Sequence, residues 1–145
     1  MTGAGDETPE PSCAFCAIVT GVAEADLVLD EEHFMAFLDR RPLFKGHVLL
    51  VPRLHVVTLT DLPAGLRDGF LEAAQRLATA MVEALGAQGS FVAMNNVVSQ
   101  SVPHLHLHVV PRTKGDGLRG FFWPRTRYAE QEAGQYAARL HAALE

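Results

Sequence analysis

The chain has 145 residues, 48% of them hydrophobic and 20% charged, and a formal net charge of -5, which suits one globular domain with a sizeable core. No apolar run approaches the roughly 18 residues of a membrane span, so no membrane partner is expected. Basic residues are scattered except at PRTK and WPRTR; that excludes a nucleic-acid footprint and leaves room for a small anionic ligand held by local donors.

The opening MTGAGDETPEPS is small and acidic, with neither a basic n-region nor an apolar h-region. It reads as a disordered tail over residues 1–11 rather than a secretory leader, and a cytoplasmic single domain over residues 12–145 is expected. PSCAFCAIVTG gives a short helix capped by Ser12 and stopped at Gly21. It carries both cysteines, Cys13 and Cys16, and in such a chain a C-x-x-C pair points to metal or redox use before a structural disulfide. The thioredoxin-like alternative lacks its usual preceding strand, and simple burial of two thiols is the bland alternative.

DLVLDEEHFMAFLDRRP predicts a hairpin around the acidic turn Asp30 to Glu32, ended by Pro42, and HVLLVP predicts a third strand. Next comes a long helix, TDLPAGLRDGFLEAAQRLATAMVEALGA, with Leu66, Phe70, Leu71, Leu77, Met81, Val82 and Leu85 at helical spacing. Asp61 and Pro63 mark its start and Gly86 its end. SFVAMNN and HLHLHVVP predict strands four and five, and the Ala-rich tail is helix-prone despite Gly134. Short turns between strands, with one long helix between the third and fourth, imply an α+β fold. It is a mainly antiparallel five-stranded sheet packed on one side by that helix, with short N-terminal and C-terminal helices.

The fifth strand carries the chemistry. Extended backbone places His104, His106 and His108 on one face and Leu105, Leu107 and Val109 on the other, so three imidazoles stand in a row backed by core. A polar outer face would ordinarily use Thr, Ser, Lys or Glu. His47 and His55 flank the third strand, and imidazole near neutrality serves as nucleophile, proton carrier or metal ligand. His33 and His141 lack such company and read as surface.

HLHLHVV fits the His-x-His-x-His pattern of the histidine triad family, and CAFCAIV, FMAFLDRRP, GHVLLVPRLH and QSVPHLHLHVVPR resemble the family's other blocks in the right order, from about Cys13 to Arg112. The resemblance implies a nucleotide hydrolase or transferase acting at the alpha-phosphorus of a purine nucleoside monophosphate, AMP foremost. His106 would attack phosphorus to form a nucleotidyl-imidazole that water hydrolyses. His108 would donate to the non-bridging oxygens. His47 sits near the site as proton relay or orienting group, with a satisfied core histidine as its alternative. The resemblance lines the base pocket with Phe15, Ile18 and Phe37, whose other reading is core, and gives Asp39 the ribose hydroxyls. Ser101 and Asn95 or Asn96 would hold phosphate, against plain turn chemistry. Gln100 belongs to the same block, and its role is not separable from loop structure.

In relatives with this C-x-x-C, structural zinc is completed by the positions that here are His55 and His104, beside Cys13 and Cys16. A homodimer through the long helix and the following sheet edge is likewise implied. The triad leaves open a phosphoramidase or similar nucleotidyl-conjugate hydrolase, a dinucleoside polyphosphate hydrolase or phosphorylase, and a non-catalytic nucleotide sensor; a zinc-binding interaction module gives no reason for His106 and His108. Two departures stand out. The connection NNVVSQSV is shorter than the family's and lacks its Gly-rich turn, which leaves Asn95 against Asn96 open. KGDGLRGFFWPRTRY, with Phe121, Phe122 and Trp123, reads as a lid, a subunit contact or a satellite core.

Overall fold

The computed structural model describes residues 9–118 and 125–145. Most of the expected N-terminal tail, and Phe121, Phe122 and Trp123, lie outside the described residues.

The first helix, α1 (Ala14–Val19), is followed by the hairpin β1 (Leu27–Asp30) and β2 (Phe34–Leu38), then β3 (Val48–Pro52), α2 (Ala64–Leu85), β4 (Gly89–Ala93), β5 (Leu107–Arg112) and α3 (Glu132–Leu144). All pairings are antiparallel, as the short turns imply, and the strand order is β1-β2-β3-β5-β4. Among the described residues, no helix is long and apolar enough to cross a membrane.

The sheet buries both faces, which is why FMAFL and VLLVP are unbroken apolar runs rather than alternating ones. One face of β2, β3 and β5, with Phe34, Ala36, Leu50, Leu107 and Val109, packs on α2 through Phe70, Ala73, Ala74, Leu77 and Met81. Met35, Phe37, Leu49 and Val51 turn the other way and pack on Cys13, Phe15 and Cys16 of the α1 region. The alternating side chains of a strand thus build two clusters from one sequence.

Three expectations need correction. The N-cap of α1 is Cys13, whose Sγ accepts the Cys16 amide, while the Ser12 hydroxyl turns to the Glu10 carboxylate. Leu71, Val82 and Leu85 are 63%, 47% and 56% exposed. The stripe of α2 that meets the sheet runs through Ala73 and Ala74 instead, because small side chains let helix and sheet approach. Asp61 closes a separate 3-10 turn, Leu59–Asp61, before Pro63 caps α2. At its other end, Gly86 adopts φ +69° and sends its amide back to Met81 and Val82.

The fifth strand also starts later than its apolar pattern predicts. Pro103 has no amide to give a ladder, and the backbone reaches the sheet proper only at Leu107. His104 and His106 instead lie in irregular backbone ahead of the ladder, tied down by the Leu105 amide, which donates to Val56 O at 2.7 Å. The alternation survives: Leu105, Leu107 and Val109 all enter the α2-side core.

Candidate active site

The histidine face of β5 is buried rather than solvated. His104 is 0% and His106 4% exposed, and each ring is held by backbone. His106 Nδ1 lies 2.7 Å from His104 O. A carbonyl only accepts, so the neutral ring carries its proton on Nδ1 and leaves the Nε2 lone pair free. The rings of Phe15 and His108 flank it, with centroids at 5.0 and 5.1 Å.

A cavity of about 350 Å³ opens on this face. Phe15, Ile18 and Phe37 form its apolar wall, and Asp39, Ser101, His106 and His108 supply its polar groups. Phe15 and Phe37 meet edge to face at 5.3 Å; both belong to the α1-side core and also line the cavity. Asp39 is half-buried; its Oδ1 accepts the Arg41 amide at 2.9 Å, which fixes the carboxylate at the rim. Behind His108 stands buried His47, with Nε2 2.9 Å from His108 Nδ1 and 3.7 Å from Asp39 Oδ2. Burial holds His47 below the usual imidazole range, partly offset by the Asp39 charge. Burial, then the neighbouring His106 and His47, push His108 down to about 4. Both shifts favour the neutral ring at pH 7.

The expected phosphate-side residues divide. Ser101 lines the cavity, but Asn95 and Gln100 do not. Gln100 braces its loop, its side chain donating to Val57 O at 2.6 Å and accepting from the Val97 amide at 3.1 Å. Asn96 accepts the Leu59 amide at 2.7 Å. These ties hold two non-glycine residues, Val97 at φ 70° and Ser99 at φ 62°, where a glycine-rich turn would adopt such angles freely. The sequence reading missed Ala14, Ala17, Ala23 and Ala25, which widen the apolar end of the cavity, and Asp26 and Arg40 in its lining. An alternation of alanines with no periodic pattern gave no signal for them. His33 and His141 are exposed, as expected.

At the far end of the row lies a second cluster. One ligand atom each from Cys13, Cys16, His55 and His104 falls within 4.8 Å of every other. His104 Nε2 donates to Pro52 O at 2.8 Å, which turns the bare Nδ1 toward the thiols. In a tetrahedron with zinc bonds of about 2.3 Å to sulfur and 2.0–2.1 Å to nitrogen, ligand-to-ligand edges come to about 3.3–3.8 Å. The nitrogen–nitrogen edge here is 3.2 Å and three of the four sulfur–nitrogen edges are 3.3, 3.4 and 3.6 Å. Two soft thiols and two imidazoles at these spacings fit zinc or a similar dication. Burial drives His104 down to about 4 and Cys16 up to about 11. Cys13 and Cys16 are free thiols here.

A family model described as the HIT domain matches residues 20–115. An uncharacterized HIT-like protein of Methanocaldococcus jannaschii is 36% identical over 107 residues, covering 72% of this chain and 82% of the relative. An adenosine 5'-monophosphoramidase of Saccharomyces cerevisiae is 30% identical over 142 residues, 95% of this chain and 86% of its own. The crystal structure of a Zn-bound histidine triad family protein from Mycobacterium smegmatis superposes with a TM-score of 0.71 at 41% identity, covering 91% of this chain and 97% of that one.

Proposed function

The chain belongs to the HIT family, and from that premise we propose that it is a nucleotidyl hydrolase that releases a purine nucleoside monophosphate, AMP foremost, from a phosphoramidate or similar conjugate. The observation that carries this reading is the buried His106 ring, tethered through Nδ1 to His104 O, with Nε2 free beside a cavity of nucleotide size. A non-catalytic sensor would have no use for a lone pair held ready in this way.

In the proposed reaction His106 Nε2 forms a bond to the alpha-phosphorus as the bond from phosphorus to the leaving group breaks. Water then attacks the same phosphorus, the nitrogen–phosphorus bond breaks, and the nucleoside monophosphate leaves. His108 donates to the phosphoryl oxygens, where negative charge develops. Phe15, Ile18 and Phe37 clasp the base, Asp39 takes the ribose hydroxyls through Oδ2, and Ser101 adds a donor at the phosphate. The relative named as an adenosine 5'-monophosphoramidase supports the phosphoramidate over a dinucleotide substrate.

Cys13, Cys16, His55 and His104 would hold zinc, and with four protein donors on offer it would supply a cross-link rather than a Lewis acid. It would tie the start of α1 to the segment after β3 and to the backbone whose carbonyl orients His106. A second copy pairing through β4, the sheet edge, would cover the exposed Leu71, Val82 and Leu85 of α2 together with Val92.

The test is a paired incubation of the wild type and His106→Asn with an adenosine phosphoramidate and with diadenosine tetraphosphate, following AMP release and protein mass. AMP from the wild type alone, with a transient mass gain of one nucleotide, is expected, with the phosphoramidate the faster substrate. Normal turnover by a folded His106→Asn protein rules out the nucleophile.

A further inference from the structure

We infer that His47 is a positioning residue that sets the tautomer of His108 and does not carry protons; the inference rests on the roles of His106 and His108 proposed above. The Leu43 amide lies 3.1 Å from His47 Nδ1. A backbone N–H has no lone pair, so His47 Nδ1 must be the acceptor and the neutral ring must hold its proton on Nε2. That proton lies on the 2.9 Å line to His108 Nδ1. His108 Nδ1 is therefore also an acceptor, and its own proton stands on Nε2, the ring nitrogen left for the cavity that His108 lines. One amide dictates two imidazoles in sequence.

The chain of hydrogen bonds is a dead end. For His47 to relay a proton it would release Nε2–H and accept another at Nδ1, where it meets the Leu43 amide hydrogen. The nearest acid, Asp39, approaches through Oδ2 at 3.7 Å from the same Nε2 that already faces His108, so it opens no second route to Nδ1. A cation shared by Asp39, His47 and His108, whose ligand atoms lie within 4.8 Å of one another, would have to displace the Nε2 proton while the amide kept Nδ1 occupied. Adjacent triad rings are thus held in opposite tautomers: His106 by a carbonyl that takes its Nδ1–H, and His108 by a donor that fills its Nδ1. The first becomes a nucleophile at Nε2 and the second a hydrogen-bond donor at Nε2.

The local sequence builds this end stop. The His47 amide donates to Phe44 O at 3.0 Å and closes a tight turn, with Gly46 at φ +99° in its third position. The Asp39 amide donates to His47 O at 2.9 Å and anchors the turn to the end of β2, and the imidazole folds back over the Leu43 amide.

The experiment is ring-nitrogen NMR on the uniformly 15N-labelled full-length protein at pH 7, with two-bond proton–nitrogen correlations and through-hydrogen-bond 15N–15N couplings. Protons on Nε2 of His47 and His108 and on Nδ1 of His106 are expected, with couplings from the Leu43 amide to His47 Nδ1 and from His47 Nε2 to His108 Nδ1. A proton on Nδ1 of His47 or of His108 overturns the inference. His47→Gln, whose side-chain amide can still donate to His108, should keep the His108 tautomer and most of kcat. His47→Leu should let His108 populate both tautomers and lower kcat on the order of tenfold with KM little changed. Equal loss of kcat in both variants with the His108 tautomer intact would mean that His47 carries protons after all. The wild-type spectra need no variant to fold, and they report on the rings even if no nucleotide conjugate is turned over.

Discussion

Replacing Gly46 by Ala separates backbone strain from steric contact in the turn that presents His47. Gly46 sits at φ +99°, and a Cβ there would lie 2.6 Å from Leu85 Cδ1 and 3.4 Å from Pro111 Cγ. An L-residue at positive φ costs roughly 1–2 kcal/mol. The contact involves the end of a flexible side chain that is 56% exposed, so Leu85 can turn aside for about 0.5–1.5 kcal/mol. Stiffening of the unfolded chain returns about 0.4–1 kcal/mol. The net loss is about 0.5–3 kcal/mol, with backbone strain the larger part, and corresponds to a fall in Tm of roughly 2–10 °C for a chain of this size. Urea denaturation of the wild type, Gly46→Ala, Leu85→Ala and the double variant forms a closed cycle. Leu85→Ala should recover only the smaller share. Full recovery, or a Gly46→Ala protein as stable as the wild type, would refute the reasoning about φ.

Leu50 is 0% exposed in the α2-side core; Leu50→Ala should cost about 2–5 kcal/mol in chemical denaturation, and a loss below about 1 kcal/mol would show that the core collapses onto the site. His108 falls from 6.5 to about 4 on folding. The unfolded chain then binds more protons between those values, and stability must decline as pH falls from 6.5 toward 4. Allowing for its partial exposure, the decline from pH 7.5 to 5 is about 1–2 kcal/mol; His108→Asn should lack that share, and identical pH dependence in both proteins would remove the assignment. Purified protein grown with ample metal should carry about one zinc per chain by elemental analysis. Cys13→Ala should lose it and lower Tm more than it lowers turnover at low temperature; retention of zinc by Cys13→Ala would dismiss this ligand set.

Much of the site was legible because strand geometry is periodic. Alternation alone puts His104, His106 and His108 opposite Leu105, Leu107 and Val109, and the structure keeps that division even where the ladder has not begun. The C-x-x-C pair pointed to metal or redox use, and the fold brings both thiols together with His55 and His104. Other features were illegible because they depend on what lies across the fold. Leu71, Val82 and Leu85 fit a helical stripe as well as Ala73 and Ala74 do, and only the position of the sheet tells which line of α2 is buried. The loop ties of Gln100 and Asn96 could not be read from the motif, because their carbonyl and amide partners, Val57 and Leu59, arrive from a segment some 40 residues away.

The sequence by itself determined the element order, the helix-packed face of the sheet and the identity of the chemical groups, since these follow from side-chain period and residue type. Only the folded backbone, through contacts both local and distant, decided which imidazole nitrogen is free. That choice belongs to the Pro52 and His104 carbonyls and the Leu43 amide, backbone groups present at every position, whose effect on a histidine depends only on where the fold brings them.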